Sequence, residues 1–491
     1  MKVLIANPPA YIKDYDRHFV QAGSRWSFSM HISKDSGCKD HYLPYPFFLG
    51  YSSALLKRTF DVKAIDACAL DFDEREFIQY VVAHDPDVLV LEVPTVSFPL
   101  VMEVIREIKE NIGCKVVLAG SHVTALAKEV MDKYAFIDYC LLGEYELTLK
   151  ELMEHLDKES EDDKNLRAIK GLGFRHGNKV TINERRELLK NLDSLPFPDR
   201  EDLPIKYYHD FEIAGKPSAQ MLTSRGCPSS CIFCVERQVI WDSPLYRKRN
   251  PAKVVDEMAL VKDEYGAKQV YFDDETMTIN RKHVKAICDE IIYRGLDIPW
   301  TCMGDITLDY DTLNLMAKAG CVGVKFGVET VNTETLSEIR KIFLNLEKTK
   351  QFREWCRELN MWSHATFMIG LPGDIEKDVS KTLKFATDLD PDSAQFSIAT
   401  PFPGTPFFDM AKRNGWLTTL DWTMYDGANH AVLNYPWLSK EEIERLYQNA
   451  LKKFYKHAIL KGFVRPRRVV RLVRARGLGY AIRKALSASR M

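Results

Sequence analysis

Short apolar runs alternate with amphipathic stretches through the first third of the chain. Each run has the length and β-branched content of a strand, and the segments between them show helical spacing. The five runs are KVLIA, DVKAID, DVLVLEV, KVVLAG and YCLLG. This alternation predicts an α/β domain over residues 1–157, with a doubly wound, Rossmann-like parallel sheet. Such sheets bind ligands at the carboxyl ends of their strands, so the domain is predicted to hold a nucleotide or cofactor.

The loops after these strands narrow the choice of ligand. No G-x-G-x-x-G follows the first strand, and the prolines of NPPAY exclude the glycine turn that a dinucleotide needs. The candidate cofactor-binding residues are Thr95, Gly120, Ser121, His122, Gly143 and Glu144. The glycines permit close backbone approach, and the hydroxyl and carboxylate groups could hydrogen-bond a large polar ligand. Ordinary βα turns with helix caps explain the same residues, and a lone histidine there is more typical of a helix start than of a metal ligand.

A polar segment separates this domain from the next alternation. It begins with DKESEDDKN, continues through GLGFRH and KVTIN around Gly177-Asn178, and ends in LDSLPFPDREDLP. The alternating pair flanking Gly177-Asn178 predicts a hairpin. Residues 158–215 are therefore predicted to be a linker with a small hairpin.

A second alternation starts near residue 219. Its strand candidates are AQMLTS, QVYFDD, PWTCMG, VGVKFGVE, SHATFMIG and AQFSIATP. Six βα repeats over some 180 residues favour a partial (βα)6 TIM-like barrel over residues 216–405, with its chemistry at the carboxyl ends of the strands. Residues 406–491 are predicted to be a helical C-terminal region that ends in a basic tail.

Three cysteines follow the first of these strands, in the stretch TSRGCPSSCIFC. Cys227, Cys231 and Cys234 lie in a loop with glycine, proline and serine, which disfavours a buried-core role. A structural zinc needs four ligands, and the next candidates, His283 and Cys288, lie on a predicted helix. Three thiolates holding an iron–sulfur cube would leave one iron with an open coordination position. Eleven cysteines in all, and no leader sequence in the opening MKVLIANPPA, predict a reducing, cytoplasmic location.

The C-x3-C-x2-C spacing, with Phe233 before the last cysteine, resembles the radical S-adenosylmethionine (SAM) superfamily. YFDDETMT, FGVET, FMIGLPG and TPFPGTP follow in the order of that superfamily's barrel, and SRGCP and YRKRNP resemble the subgroup with a preceding cobalamin domain. DYCLLGEYELTLKEL and VVLAGSHVTAL look like that cobalamin domain. No D-x-H-x-x-G is present, so the lower axial ligand of cobalt is unassigned.

The resemblance implies a 4Fe-4S cluster on the three cysteines, with SAM chelating the open iron. Asp273 and Asp274 would meet the ammonium group of SAM, or they cap a helix. Glu329 would contact its polar groups, for example the ribose hydroxyls. Gly370 and Gly373 would let the backbone approach the adenine or the methionine end, and a plain turn explains them nearly as well. Phe233 would pack near the adenine or in the core.

Methyl transfer to an unactivated carbon is the leading reaction that the resemblance implies, with SAM cleaved reductively at the cluster. Ring closure, ring contraction and carbon–carbon coupling are alternatives within the family, and a cobalamin-binding sensor without catalysis is an alternative of another class. An external donor of the flavodoxin or ferredoxin type would supply the electron.

Charge is segregated along the chain. All 69 acidic residues precede residue 445, and residues 445–491 contain 14 of the 68 Lys and Arg residues, so the body carries −15 and the tail +14. Basic and apolar residues alternate in VRPRRVVRLVRARGLGYAIRKAL, which is typical of a segment that lies on an anionic membrane. QAGSRW and SIATPFPGTPFF resemble members that modify hopanoids or ether lipids, which predicts a lipid as an alternative to a small-molecule substrate. A tail that packs on the acidic body is equally compatible, and nucleic acid is disfavoured because aromatic residues do not interleave with the basic ones.

Overall fold

The computed structural model describes residues 1–9, 11–12, 17–19, 30–32, 43–158, 163–341 and 344–464. The strands of its N-terminal half are β1 (Lys2–Asn7), β2 (Tyr11–Ile12), β3 (Arg17–Phe19), β4 (Met30–Ile32), β5 (Asp61–Asp66), β6 (Val88–Glu92), β7 (Lys115–Ala119), β8 (Tyr139–Leu141), β9 (Leu172–His176) and β10 (Lys179–Ile182). The helices are α1 (Phe47–Leu56), α2 (Glu74–His84), α3 (Phe98–Asn111), α4 (Ser121–Lys133), α5 (Glu146–Leu156) and α6 (Asp163–Ala168).

Seven of these strands form one sheet in the order β10-β9-β8-β7-β6-β1-β5. The five strands from β5 to β8 in this order are parallel, which confirms the predicted doubly wound domain. Strand order reverses between β1 and β6, and ligands bind parallel sheets at such a reversal. The predicted hairpin is present as β9 and β10, and β9 pairs antiparallel with β8, so the hairpin continues the N-terminal sheet.

Strand β6 shows why the sheet strands read as unbroken apolar runs. All five of its residues are buried. Val88 and Val90 pack in the core on the side of α1 and α5, whereas Leu89 and Leu91 pack in the core on the side of α2, α3 and α4. A strand covered by helices on both faces needs apolar side chains wherever the helices cover it, here from Val88 to Leu91. The last residue, Glu92, is buried too, and it accepts a hydrogen bond from the Tyr145 hydroxyl at 3.1 Å.

The second half contains eight strands and eight helices within the described residues. The strands are β11 (Ser218–Met221), β12 (Ser224–Arg225), β13 (Arg247–Lys248), β14 (Gln269–Phe272), β15 (Trp300–Gly304), β16 (Cys321–Glu329), β17 (Trp362–Ile369) and β18 (Ser393–Ile398). The helices are α7 (Pro251–Asp263), α8 (Arg281–Arg294), α9 (Tyr310–Lys318), α10 (Thr333–Glu338), α11 (Leu346–Glu358), α12 (Glu376–Leu389), α13 (Pro406–Arg413) and α14 (Lys440–Val464). Short 3-10 turns and one π-helix, Glu236–Ile240, complete it.

Six parallel strands form the second sheet in the sequential order β11-β14-β15-β16-β17-β18. Each connection between neighbouring strands of this sheet contains a helix. The sequential strand order is that of a partial barrel, as predicted. The two end strands are not hydrogen-bonded to each other in the described part of the chain, so the sheet stays open. The small antiparallel ribbon of β12 and β13 is separate from this sheet, with β12 immediately before the cysteine loop and β13 after it in the chain.

The C-terminal region packs against the last strands of the partial barrel. Phe454 on α14 meets Phe396 on β18 with ring centroids 5.6 Å apart. The basic segment predicted at residues 465–491 lies outside the described residues, and the domain boundaries predicted at 157, 215 and 405 stay predictions. None of the helices described is both long enough and apolar enough to cross a membrane.

Candidate functional site

The cysteine loop starts from a glycine that no other residue can replace without strain. Gly226 has a φ of +93°, and a Cβ there would lie under 3.0 Å from the carbonyl oxygen of Leu245. Its amide donates to Glu275 Oε2 at 2.9 Å. The turn into Cys227 is therefore pressed against the segment that leads to β13, and a carboxylate after β14 holds it from the other side.

Backbone contacts hold the rest of the loop. Gln238 Nε2 donates to the Cys231 carbonyl at 2.9 Å, and the Ile232 amide donates to the Ile339 carbonyl at 3.2 Å. The Phe407 amide in turn donates to the Ile232 carbonyl at 3.2 Å. The main chain of the loop is thus fixed to the end of α10 and the start of α13 by contacts that do not involve the thiols.

All three thiols are reduced and half-buried. Burial raises the pKa of Cys227, Cys231 and Cys234, so each thiol needs a cation to become the thiolate that binds metal. Within the described residues, no group of three His, Cys, Asp or Glu side chains is arranged to hold a single metal ion. A cluster places its thiolates on different irons and so sets them farther apart than one ion does.

A half-buried lysine that sequence reasoning missed, Lys341, lies close enough to the thiols to interact with them electrostatically. Burial alone would lower the pKa of Lys341, but Glu329 and the sulfurs of Cys231 and Cys227 raise it. Lys341 forms an ion pair with Glu329 Oε1, and Thr366 Oγ1 donates to Glu329 Oε2 at 3.3 Å. Glu329 has a φ of +64°, at the end of β16. No motif marks Lys341, because it enters the site from the turn after α10.

The two aspartates after β14 occupy different places. Both are completely buried. Asp274 accepts from the Thr223 hydroxyl at 2.9 Å and from the Ser224 hydroxyl, so its side chain supports the strand that leads into the cysteine loop. The backbone amide of Asp273 donates to the Met221 carbonyl at 2.9 Å. Contact of either residue with the ammonium group of SAM stays a prediction.

Gly370 and Gly373 both have a φ of +84° after β17. The Gly370 carbonyl accepts from the Tyr435 hydroxyl at 2.9 Å, and a Cβ there would meet Ile443 at 2.9 Å. Gly370 therefore also lets the C-terminal region pack closely. Phe233 is partly buried against the barrel core. The predicted SAM contacts of these three residues stay predictions.

The structure brings four of the predicted N-terminal residues together at the ends of β6 and β7. His122 Nδ1 lies 3.3 Å from Thr95 Oγ1, and the ring stacks on Phe98 at 4.1 Å. Burial lowers the pKa of His122 to about 3, so the imidazole is neutral. Gly120 has a φ of +108° and Ser121 begins α4, directly before His122. Trp422 of the C-terminal region meets the His122 ring at 5.3 Å.

Gly143 and Glu144 lie at the next strand end and face the barrel. The Gly143 amide donates to Thr124 Oγ1 at 3.0 Å. Glu144 is buried between Arg225 and Arg247, each of which reaches it at 2.6 Å. Burial would raise the pKa of Glu144, but the two guanidinium groups lower it overall. Contact of Glu144 with a cofactor stays a prediction, and both of its oxygens bind arginine.

Two family models match the chain. The model described as the B12 binding domain matches residues 44–153, and that of the radical SAM superfamily matches residues 221–386. An uncharacterized methyltransferase of Pyrococcus horikoshii, PH0819, is 32% identical over 414 residues, which cover 84% of this chain and 87% of that protein.

The chain belongs to the cobalamin-dependent radical SAM enzymes. The anaerobic magnesium-protoporphyrin IX monomethyl ester cyclase of Cereibacter sphaeroides is 28% identical over 422 residues, 84% of this chain and 67% of the cyclase. TsrM, a radical SAM methyltransferase from Kitasatospora setae solved with cobalamin and a 4Fe-4S cluster, has the same fold. Its TM-score is 0.64 at 20% identity, over 91% of this chain and 82% of TsrM.

The predicted cofactors of this radical SAM enzyme, a 4Fe-4S cluster, SAM and cobalamin, are confirmed by these comparisons. The residues present fit the cluster, because three thiols outside any disulfide share one loop near the half-buried ammonium group of Lys341. They also fit cobalamin: the hydroxyl residues Thr95 and Ser121 follow β6 and β7 at the carboxyl edge of the parallel sheet, and Gly120, where a Cβ would lie 2.8 Å from the Val93 carbonyl oxygen, lets the turn after β7 pass close to it.

The inner face of the partial barrel carries many polar side chains, together with aromatic ones such as Tyr271 and Trp362. Val324 and Phe326 of β16 pack in the core with the surrounding helices, so the alternate residue Lys325 faces inward. The same alternation directs these polar side chains inward: Gln269, Thr301, Lys325, His364, Thr366, Ser393, Gln395 and Ser397. Gln395 is exposed, and its amide donates to Ser397 Oγ at 3.3 Å. The open side of the barrel thus presents hydrogen-bonding groups.

Proposed function

We propose that the chain is a methyltransferase that transfers a methyl group to an unactivated carbon, with reductive cleavage of SAM at the cluster. The observation that carries the proposal is the cysteine loop: three reduced thiols at the carboxyl end of β11, beside the Lys341–Glu329 pair. When bound, the cofactors supply radical and methyl-transfer chemistry.

The chain's own residues hold and shield that chemistry. Cys227, Cys231 and Cys234 each bind one iron, and the Lys341 ammonium offsets the negative charge of their sulfurs. Glu329 is held by Lys341 and Thr366, so its carboxylate is oriented before SAM arrives. Preorganised groups of this kind lower the cost of ordering a ligand. An external donor of the flavodoxin or ferredoxin type supplies the electron.

The inner face of the barrel favours a small methyl acceptor with hydrogen-bonding groups. Thr366, Gln395 and Ser397 present a hydroxyl, an amide and a second hydroxyl from adjacent strands. An acceptor that pairs with them recovers the hydrogen bonds that it gives up to water. The lipid acceptor and the membrane contact predicted from the basic segment depend on residues outside the described ranges and stay predictions.

Two alternative functions predict different reaction products. Ring closure or carbon–carbon coupling would use the same cysteine loop and the same cleavage of SAM, but the product would gain no methyl group. A cobalamin sensor would not cleave SAM at all. The grouping of three half-buried thiols in one loop favours a catalytic site over a sensor, because a sensor needs no cluster.

The deciding experiment uses protein reconstituted without oxygen, with iron, sulfide and cobalamin. It receives SAM labelled on the methyl carbon, a low-potential reductant, and an extract of the organism that carries the gene, divided into aqueous and lipid fractions. We expect 5′-deoxyadenosine and label in an aqueous product. Label in the lipid fraction would instead support the lipid acceptor, cleavage without labelled product would support cyclisation or coupling, and no cleavage would support the sensor.

Two variants make that assay specific. Cys231→Ala removes one cluster ligand and is expected to abolish 5′-deoxyadenosine formation and reduce the iron content. Cys114→Ala removes a buried thiol between α3 and β7 and is expected to keep both. Equal activity in the two variants would refute the role of the cysteine loop.

A further inference from the structure

A buried charge cluster connects the cysteine loop to the cobalamin domain. Arg225 lies on β12, two residues before Cys227. Its Nη1 lies 2.6 Å from Glu144 Oε1, and its Nη2 lies 2.7 Å from Glu146 Oε1. Both glutamates follow β8 at the carboxyl edge of the N-terminal sheet. A single guanidinium group therefore joins the two domains through two carboxylates.

A second arginine enters the same cluster from the neighbouring strand. Arg247 on β13 reaches Glu144 Oε2 at 2.6 Å and the Leu189 carbonyl at 3.0 Å. It also pairs with Arg225 in the antiparallel ribbon of β12 and β13. Each oxygen of Glu144 is thus bound to a different strand of the ribbon that carries the cysteine loop, so this contact resists rotation as well as separation.

Aromatic rings complete the packing around both guanidinium groups. Arg225 lies over Phe48 and Tyr51 of α1, 5.2 and 4.9 Å from their ring centroids. Arg247 lies 5.0 Å over Trp241. The side chains of Arg225 and Arg247 are each 3% exposed, and that of Glu144 is 6% exposed. Water can hardly compete for these contacts, and a planar guanidinium held from its edge and its face has one orientation.

We propose that Glu144, with Arg225 and Arg247, is a positioning clamp that fixes the cluster relative to cobalamin. The N-terminal strand ends then hold one cofactor site and the ribbon holds the other, at one separation and one angle. Glu144 acts through the arginines as a positioning residue, which differs from the cofactor contact predicted for it. The proposal rests on the proposed function only in that both cofactors are bound at once.

The test measures the magnetic interaction between the two cofactors in the loaded protein. Cobalamin in the cob(II)alamin state and the singly reduced cluster each carry an unpaired electron, and their dipolar coupling depends on separation and orientation. We expect Glu144→Gln, which keeps the shape but removes the charge, to broaden or weaken this coupling. The spectrum of each centre, recorded while the other is diamagnetic, should stay as in the unaltered protein.

A second Glu144 variant and an exposed control variant make the result interpretable. Glu144→Asp keeps the charge but is too short to reach both arginines, and it should show the same loss of coupling if Glu144→Gln does not load. Glu376→Gln removes a carboxylate from an exposed pair with Arg445 and should change nothing. Unchanged coupling in either Glu144 variant would overturn the proposal, and so would loss of cobalamin alone, which would make Glu144 a cofactor ligand. These outcomes are independent of methyl transfer, so a failure of the proposed function is seen separately.

Discussion

Replacing Gly226 by alanine tests the geometry of the cysteine loop. The added Cβ meets two penalties. A φ of +93° costs an L-residue about 1–2 kcal/mol, and the overlap with the Leu245 carbonyl forces a backbone shift of the kind that costs about 1–3 kcal/mol in packed interiors. Because Cys227 is the next residue, any shift that relieves the overlap moves the first cluster ligand.

Gly266 supplies a matched control. It has a φ of +69°, but a Cβ there meets no atom within 4 Å, so Gly266→Ala carries the dihedral penalty without the overlap. Iron per chain after reconstitution and the free energy of unfolding of the metal-free protein measure the two effects. We expect Gly266→Ala to lower stability by about 1–2 kcal/mol and to load iron fully. Gly226→Ala should lose a further ~1–3 kcal/mol or load clearly less iron.

The contrast between the two glycines decides whether the reasoning holds. If Gly226→Ala is as stable as Gly266→Ala and also loads iron fully, then the segment at Leu245 yields without disturbing Cys227. The loop would in that case not be fixed by its contact with the strand ribbon.

Three further outcomes are expected. Lys341→Met removes the ammonium group near the thiols, so the reduction potential of the cluster should fall by roughly tens of millivolts while the iron content stays unchanged. Redox titrations monitored by electron paramagnetic resonance measure this shift. A potential equal to that of the unaltered protein would contradict the placement of this charge. Burial raises the pKa of Asp66 from 3.8 to about 6, so its protonation stabilises the fold below pH 4 and that contribution is lost as the pH rises through 6. Asp66→Asn should remove this pH dependence, so that the free energy of unfolding varies by about 3 kcal/mol less between pH 4 and pH 6. An unchanged pH dependence in urea unfolding would refute the prediction. Burial lowers the pKa of His122 from 6.5 to about 3, which has the opposite sign: the fold loses stability as the pH falls below 6.5. His122→Gln should reduce this loss of folding stability at acid pH. A steeper loss in the variant would show that the imidazole is charged in the folded protein.

Local sequence patterns were sufficient for the fold and for locating the cysteine loop within it. Strand β6 is buried on both faces, and its run of four apolar residues, Val88 to Leu91, needs no tertiary information to be recognised. The cysteine spacing is equally local, since all three residues belong to one turn. The hairpin of β9 and β10 was predicted from Gly177-Asn178, but its pairing with β8 was not, because strand edges leave no mark in the pattern.

The contacts that position the site are long-range, and this is why they escaped prediction. Arg225 and Glu144 are 81 residues apart, and neither differs in type from a solvated surface charge until the fold buries it. Lys341 and Glu329 are 12 residues apart but reach each other across a strand end and a helix. Asp274 was predicted from its motif, yet its hydroxyl partners Thr223 and Ser224 come from the segment between β11 and the cysteine loop, about 50 residues earlier in the chain.

The end strands β11 and β18, which do not pair with each other in the described part of the chain, have a consequence for how such a chain diversifies. An eight-stranded barrel fills its middle with its own side chains, whereas six strands leave a lateral gap that other segments must cover. Tyr435 and Phe454 show that the polypeptide after β18 takes up that task on one flank. Preferences for new acceptors can therefore arise from sequence changes in these covering segments alone, while the barrel strands that support the cysteine loop stay unchanged.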